Sequence, residues 1–256
     1  MLGWWRLQRK ASNQFLSSPE NEVVRRLQRL ARRREPGFAL LEGPRVVAEA
    51  VAAGIELELL AIREGDECTL DARQRVTLSR GVFRSVSQTV TPQGVIAVAK
   101  VRESTAGEAI AAAKALRWPL VVLDGVQDPG NVGAICRTAA AAGAPALAVL
   151  DGSADPYGPK SVRASAGNVF RLTIASAAWN DLAALEGFGA AAAGGAPLAE
   201  SAIENAGMIV LGSETHGLSH SNLKLVTIPL AGGVESLNVA AAAAMLLFEV
   251  RRRRAA

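Results

Sequence analysis

Residues 120–143 read LVVLDGVQDPGNVGAICRTAAAAG, and the architecture follows from them. Leu120 to Leu123 is an unbroken apolar run, which a strand buried on both faces of a parallel sheet requires. A polar, glycine-containing turn follows, then a helix from Ala134 to Ala142 that Gly143 closes, with Asn131 placed to cap it. The strand pattern returns at Ala146–Leu150, Met208–Leu211 and Val226–Leu230, with helical stretches between. Residues 118–256 therefore read as one parallel α/β sheet domain.

Upstream the pattern is shorter and more polar. Asn21 to Arg34 has Val24, Leu27 and Leu30 at helical spacing with arginines between them, a basic amphipathic helix that Pro36-Gly37 ends. Phe38–Leu41, Leu57–Ile62, Val82–Val86 and Val95–Val101 are strand candidates, and Arg45–Ala53 a helix ending at Gly54. Residues 1–101 thus form a small α/β domain. The segment 102–117, RESTAGEAIAAAKALR, is polar at first and then alanine-rich and helical, and is assigned as the linker.

The net charge of +4 is unevenly spread. The first 34 residues carry nine Lys/Arg against two acids, a net of +7, which leaves −3 for the rest. Clustered positive charge attracts polyanions and releases their counterions, so Arg25, Arg26, Arg29, Arg32 and Arg33, with Arg45 beyond them, are candidate contacts to a polyanion such as RNA. The same arginines also suit a solvated helix face. Trp4 and Trp5 suit base stacking or an anchor on the body. Cys68 and Cys136 show no ligand spacing, and with His216 and His220 they give no metal set; two reduced thiols and no metal are expected. No apolar run spans a bilayer, and MLGWWRLQRK lacks the apolar core of a secretory leader, so the cytoplasm is the expected location.

Three turns follow three of the buried strands, where parallel α/β sheets bind ligands. The first carries Asn131 and, inside its helix, Arg137, alone among small and apolar residues; an ion-pair partner and an anion ligand are both open readings. The second is LGSETHGLS, residues 211–219, with glycines around Glu214. The third is IPLAGGVESLN, residues 228–238, where Ser236 and Asn238 each suit the N-cap of the apolar helix Val239–Val250. Neither a dinucleotide GxGxxG turn nor a Walker phosphate loop is present.

Together DPGNVGAICRTAAAAGA, LGSETHGLS and IPLAGGVESLNVAAAAA, with PKSVRASAG at residues 159–167, resemble the SpoU-type (TrmH-like) branch of the SPOUT RNA methyltransferases. The basic helix and FALLEGPRVVAEAVAAGI resemble the small RNA-binding module related to large-subunit ribosomal proteins. The resemblance implies a deep trefoil knot in the second domain, S-adenosylmethionine as cofactor, and a homodimer through that domain. It implies methyl transfer to a ribose 2′-hydroxyl, with rRNA favoured over tRNA by the first domain. Carried over by position, Leu211, Gly212, Ile228, Leu230 and Leu237 hold the cofactor, and Asn131, Arg137, Glu214, Ser236 and Asn238 serve catalysis. A guanidinium stays protonated at working pH, so Arg137 is expected to hold phosphate and developing alkoxide rather than act as the base. Ser213 and His216 depart from the family's usual residues and bear on loop geometry. The alternatives are a tRNA 2′-O-methyltransferase and a non-catalytic ribosome assembly factor on the same fold.

Overall fold

The computed structural model describes residues 13–220 and 222–255; Trp4, Trp5 and the basic residues before position 11 lie outside them. The chain folds as β1 (Asn13–Leu16), α1 (Glu22–Arg32), β2 (Phe38–Glu42), α2 (Pro44–Ala52), β3 (Leu57–Arg63), β4 (Gln74–Leu78), α3 (Arg80–Val86) and β5 (Val95–Lys100) in a first unit. A second unit follows with α4 (Ala106–Ala115), β6 (Leu120–Asp124), α5 (Pro129–Ala142), β7 (Ala146–Val149), α6 (Pro159–Ala164), β8 (Thr173–Ser176), α7 (Trp179–Leu182), β9 (Gly187–Ala191), β10 (Ala196–Pro197), β11 (Met208–Gly212), β12 (Lys224–Thr227) and α8 (Val239–Arg254).

The first unit is a five-stranded sheet in the order β1-β4-β3-β5-β2. Alternation along its strands separates two cores. Leu40, Leu59, Val76, Leu78 and Val98 meet α1 and α3 on one face, and Leu41, Leu60, Ile62 and Ala97 meet α2 on the other. As its spacing predicts, α1 buries Val24, Leu27 and Leu30, and Asn21 caps it by accepting from the Val23 amide at 2.9 Å. Val82–Val86, expected as a strand, is instead the helix α3, capped by Ser79. Val82, Phe83 and Val86 are all buried, a one-and-three spacing that suits a helical stripe and not strand alternation. The strand at that place is β4, whose Val76 and Leu78 point inward from between polar neighbours.

The second unit is a seven-stranded, wholly parallel sheet in the order β10-β12-β9-β11-β6-β7-β8. Its centre is buried on both faces, as the unbroken apolar run of β6 requires. Val121, Leu123, Ile209 and Leu211 pack towards α5 and α8, while Leu120, Val122, Met208 and Val210 face α4 and Leu182. The alanine-rich part of the segment assigned as the linker is helical as expected, forming α4. Thr105 and Glu108 form a reciprocal capping box at its start, and Ala109 and Ala113 are buried against the second sheet.

The two units are docked. One hydrophobic core runs continuously from Leu41, Val47 and Ala50 to Ile135, Val162 and Phe170. Arg34 crosses the junction: it bonds the Phe38 carbonyl at 3.1 Å, pairs with Asp155 at 3.0 Å and with Glu103, and stacks over Tyr157. Arg171 pairs with Glu49 at 2.7 Å. Among the described residues, no helix is long and apolar enough to cross a membrane, and no group of three His, Cys, Asp or Glu could hold a metal ion.

Candidate active site

Parallel pairing of β6 with β11 sets Asp124 opposite Gly212, so the turns that leave these two strands start side by side. The first enters α5. Its cap is Asp128, which accepts from the Asn131 amide at 3.0 Å; Asn131, expected to be the cap, is already inside the helix. Pro129 starts the helix five residues before the expected Ala134, because proline is pre-set for the first helical position. The Asn131 side chain is thereby free for a different task. Its Nδ2 donates to Glu214 Oε1, and its Oδ1 accepts from Asn238 Nδ2 at 3.1 Å. Asn238 in turn caps α8, accepting from the Ala240 amide at 3.0 Å and the Ala241 amide at 3.3 Å. One amide side chain thus ties together the three turns that the sequence singled out.

Behind this chain of bonds lies a cavity of about 670 Å³, lined among others by Gly212, Glu214, Ile228, Leu230, Ser236 and Leu237. Its size falls within the range of small-molecule sites. Gly212 forms part of the wall because nothing larger fits: a Cβ there would lie 2.5 Å from the Gly217 carbonyl carbon and oxygen and 2.8 Å from the Leu218 amide nitrogen. The turn closes on itself through paired backbone bonds between Ser213 and Gly217, both 2.9 Å. Leu211 is wholly buried below the cavity and does not line it.

Reading the sequence missed the fastening of the far end of this turn. Asp124, buried at the end of β6, accepts from the Ser219 amide at 2.6 Å and the Ser219 hydroxyl at 2.7 Å. Trp179 Nε1 donates to the same hydroxyl at 3.0 Å, and the Trp179 ring stacks on His220. The available signal was an acid placed directly after a buried strand.

Arg137 is exposed on α5 and is outside the cavity wall; among the described residues it has no ion-pair partner. The ion-pair reading of its isolation is therefore not met within one copy of the chain. Two of the arginines read as RNA contacts are occupied. Arg26 pairs with Glu35 and Glu58 and lies over Phe38, and Arg25 pairs with Glu20. Arg29, Arg32, Arg33 and Arg45 are exposed. Beside the site, the Lys160 ammonium and then the Asn131 amide hold the Asp128 carboxyl below its usual range. Burial pushes the Cys136 thiol on the inner side of α5 up to about 12.

The SpoU rRNA methylase family model matches residues 119–248, the span that carries every one of these turns. The chain belongs to the SpoU rRNA methylase family. A model of the MRM3-like substrate binding domain matches residues 21–97, the first unit. Among SpoU relatives, a 23S rRNA (guanosine(2553)-2′-O)-methyltransferase of Bacillus subtilis is 33% identical over 92% of this chain and 98% of its own. An rRNA methyltransferase from Sinorhizobium meliloti, solved with AdoMet bound, superposes with a TM-score of 0.77 at 27% identity, over 94% of this chain and 98% of that one. The SpoU methyltransferase AviRb from Streptomyces viridochromogenes, also solved with AdoMet, gives 0.75 at 26% identity over 92% and 99%.

Proposed function

We propose that this SpoU enzyme transfers a methyl group from S-adenosylmethionine to a ribose 2′-hydroxyl of rRNA. The carrying observation is that Asn131 joins Glu214 and Asn238 at the edge of the cavity that Gly212, Ile228, Leu230 and Leu237 line. The fit to the cofactor is good. The wall offers aliphatic side chains, close backbone at Gly212, and polar groups at one edge, as an amphiphilic nucleoside needs. When bound, the cofactor supplies an electrophilic methyl group on a sulfonium.

Since that leaving group needs no activation, the protein's work is alignment and charge control. Asn131, Glu214 and Asn238 lock the three turns in register, and Ser236 adds a hydroxyl on the same wall. Arg137, with no ion-pair partner among the described residues, holds the phosphate beside the target ribose and stabilises the negative charge that develops on the attacking oxygen. Labelled methyl transfer to rRNA tests the activity. Arg137→Ala is expected to abolish transfer with cofactor affinity nearly intact; equal loss of both would assign Arg137 a structural role.

The finer features follow the family resemblance. The turns at 211–219 and 228–238 belong to a trefoil knot, which an experimental trace through residues 208–238 tests. Two copies pair through α5 and α8, where Met245 and Phe248 are each 47% exposed; sedimentation of wild type and Phe248→Glu checks this, a dimer and a monomer being expected. The enzyme works in the cytoplasm, which cell fractionation checks. The RNA-facing arginines are those with no ion-pair partner among the described residues on α1 (Arg29, Arg32), together with Arg33 and Arg45, with Arg25 held only by an exposed pair. Arg26 is committed to folding.

A further inference from the structure

The mechanism leaves α6 without a task, although it lies between the basic helix and the reacting cluster. It is pressed against α5, because Gly133 leaves room for it: a Cβ there would lie 2.6 Å from Ala164 Cβ and would run into the Ser161 carbonyl. On the other side it meets the first unit. Arg163 Nη1 donates to Gln88 Oε1 at 2.9 Å, and Gln88 Nε2 donates to the Ala31 carbonyl near the end of α1. One helical turn earlier, Lys160 reaches Asp128, the cap of α5, at 2.8 Å. That cap also holds the amide of Asn131.

These contacts run from the end of α1, beside Arg32 and Arg33, through Gln88 to Arg163, and from Lys160 through Asp128 to the turn that carries Asn131. Arg163 has a neutral amide as its partner and no carboxylate among the described residues, so its charge is uncompensated. Lys160 is 57% exposed in a surface pair, which costs little to exchange for a phosphate. Residues three apart on a helix hold their Cβ atoms about 5–6 Å apart, which lets the two cations serve neighbouring phosphates of one strand.

We propose that Arg163 and Lys160 bind the RNA backbone between the segment gripped by the first unit and the nucleotide presented to Asn131 and Glu214. Gln88 acts as a clip that aims the Arg163 guanidinium and carries no charge itself. The proposal rests on the methyltransferase reading above, and it specifies the path the substrate takes.

The test uses the full chain and an unmodified transcript of large-subunit rRNA, with RNA affinity measured against salt and cofactor affinity measured separately. Arg163→Ala is expected to weaken RNA binding roughly tenfold and to lower the slope of log K against log salt by about one. Lys160→Ala should act in the same direction, and Arg163→Lys should restore part of the affinity. All three variants should bind S-adenosylmethionine as wild type does. Gln88→Ala, which removes the clip and no charge, should leave the salt slope at the wild-type value. An unchanged RNA affinity and slope in Arg163→Ala would overturn the proposal. So would equal losses in Arg163→Ala and Gln88→Ala, which would make the residue a spacer between units. Should wild type neither bind nor methylate rRNA, the functional reading itself fails, and this path fails with it.

Discussion

Gly212→Ala is the most direct test of how the cavity is built. The added methyl would lie 2.5 Å from the Gly217 carbonyl carbon and oxygen and 2.8 Å from the Leu218 nitrogen. These are backbone atoms that cannot rotate away, and the paired 2.9 Å bonds between Ser213 and Gly217 resist opening. Overpacking of this kind costs about 1–3 kcal/mol. Part is relieved in the free protein by displacing the 213–217 turn, and that part reappears when cofactor binding forces the turn back. If all of it reappeared, the dissociation constant for S-adenosylmethionine would rise roughly 5- to 150-fold. If none did, the melting temperature would fall by about 2–4 °C per kcal/mol for a chain of this size. Calorimetric titration and thermal unfolding of the same sample measure both shares. A variant that binds the cofactor within twofold of wild type and melts within a degree of it would refute the reasoning.

Asn131→Ala removes both side-chain bonds that join the turns, one of them to a carboxylate, for a loss of about 2–4 kcal/mol; it should lower kcat by at least tenfold while α5, capped by Asp128, keeps its circular dichroism. Arg252 first, then Arg253, hold the Glu249 carboxyl down at about 2 from its usual 4.5. A depressed folded-state value stabilises the protein above pH 4.5, and that stabilisation is lost as pH falls towards 2. Acid titration should therefore show Glu249→Gln less stable than wild type near neutrality, with the gap closing across that window; a gap independent of pH would contradict the assignment. Cys136 is fully buried with its thiol pushed up to about 12, so the native protein should react with a thiol reagent at pH 8 only through the half-buried Cys68. Rapid reaction of two thiols would show that α5 opens readily.

Much of the second unit could be read directly, and the reason is physical. Strands β6, β7 and β11 are buried on both faces and so announce themselves as apolar runs, and the turns after β6 and β11 carry glycines that the backbone needs. Strands β9 and β10, GFGAA and AP, lie towards one edge and have almost no side chain to pattern, so no periodicity marked them. The capping expectation for Asn131 fails for a different reason. Capping is local and visible in sequence, whereas the bonds to Glu214 and Asn238 join positions 83 and 107 residues away. The same holds for charge. Arg26 and Arg34 look like their neighbours along the chain, yet Glu58, Glu103 and Asp155, remote in sequence, neutralise them. Arg251, Arg253 and Arg254 bond the carbonyls of Ala142, Leu198 and Leu116. A count of basic residues therefore overstates what is available to RNA.

The pairing of β6 with β11 has a consequence for how the molecule is made. Leu120 sits opposite Met208 at the middle of the second sheet, so its two central strands emerge from the ribosome far apart in time. The first unit closes its sheet within residues 13–100, while the partner of β6 has yet to be synthesised. Such long-range parallel pairing is slow and leaves an unpaired apolar edge waiting. The order of the strands thus lets the first sheet form early, while the face that packs on Ile135, Val162 and Phe170 waits for the rest of the chain.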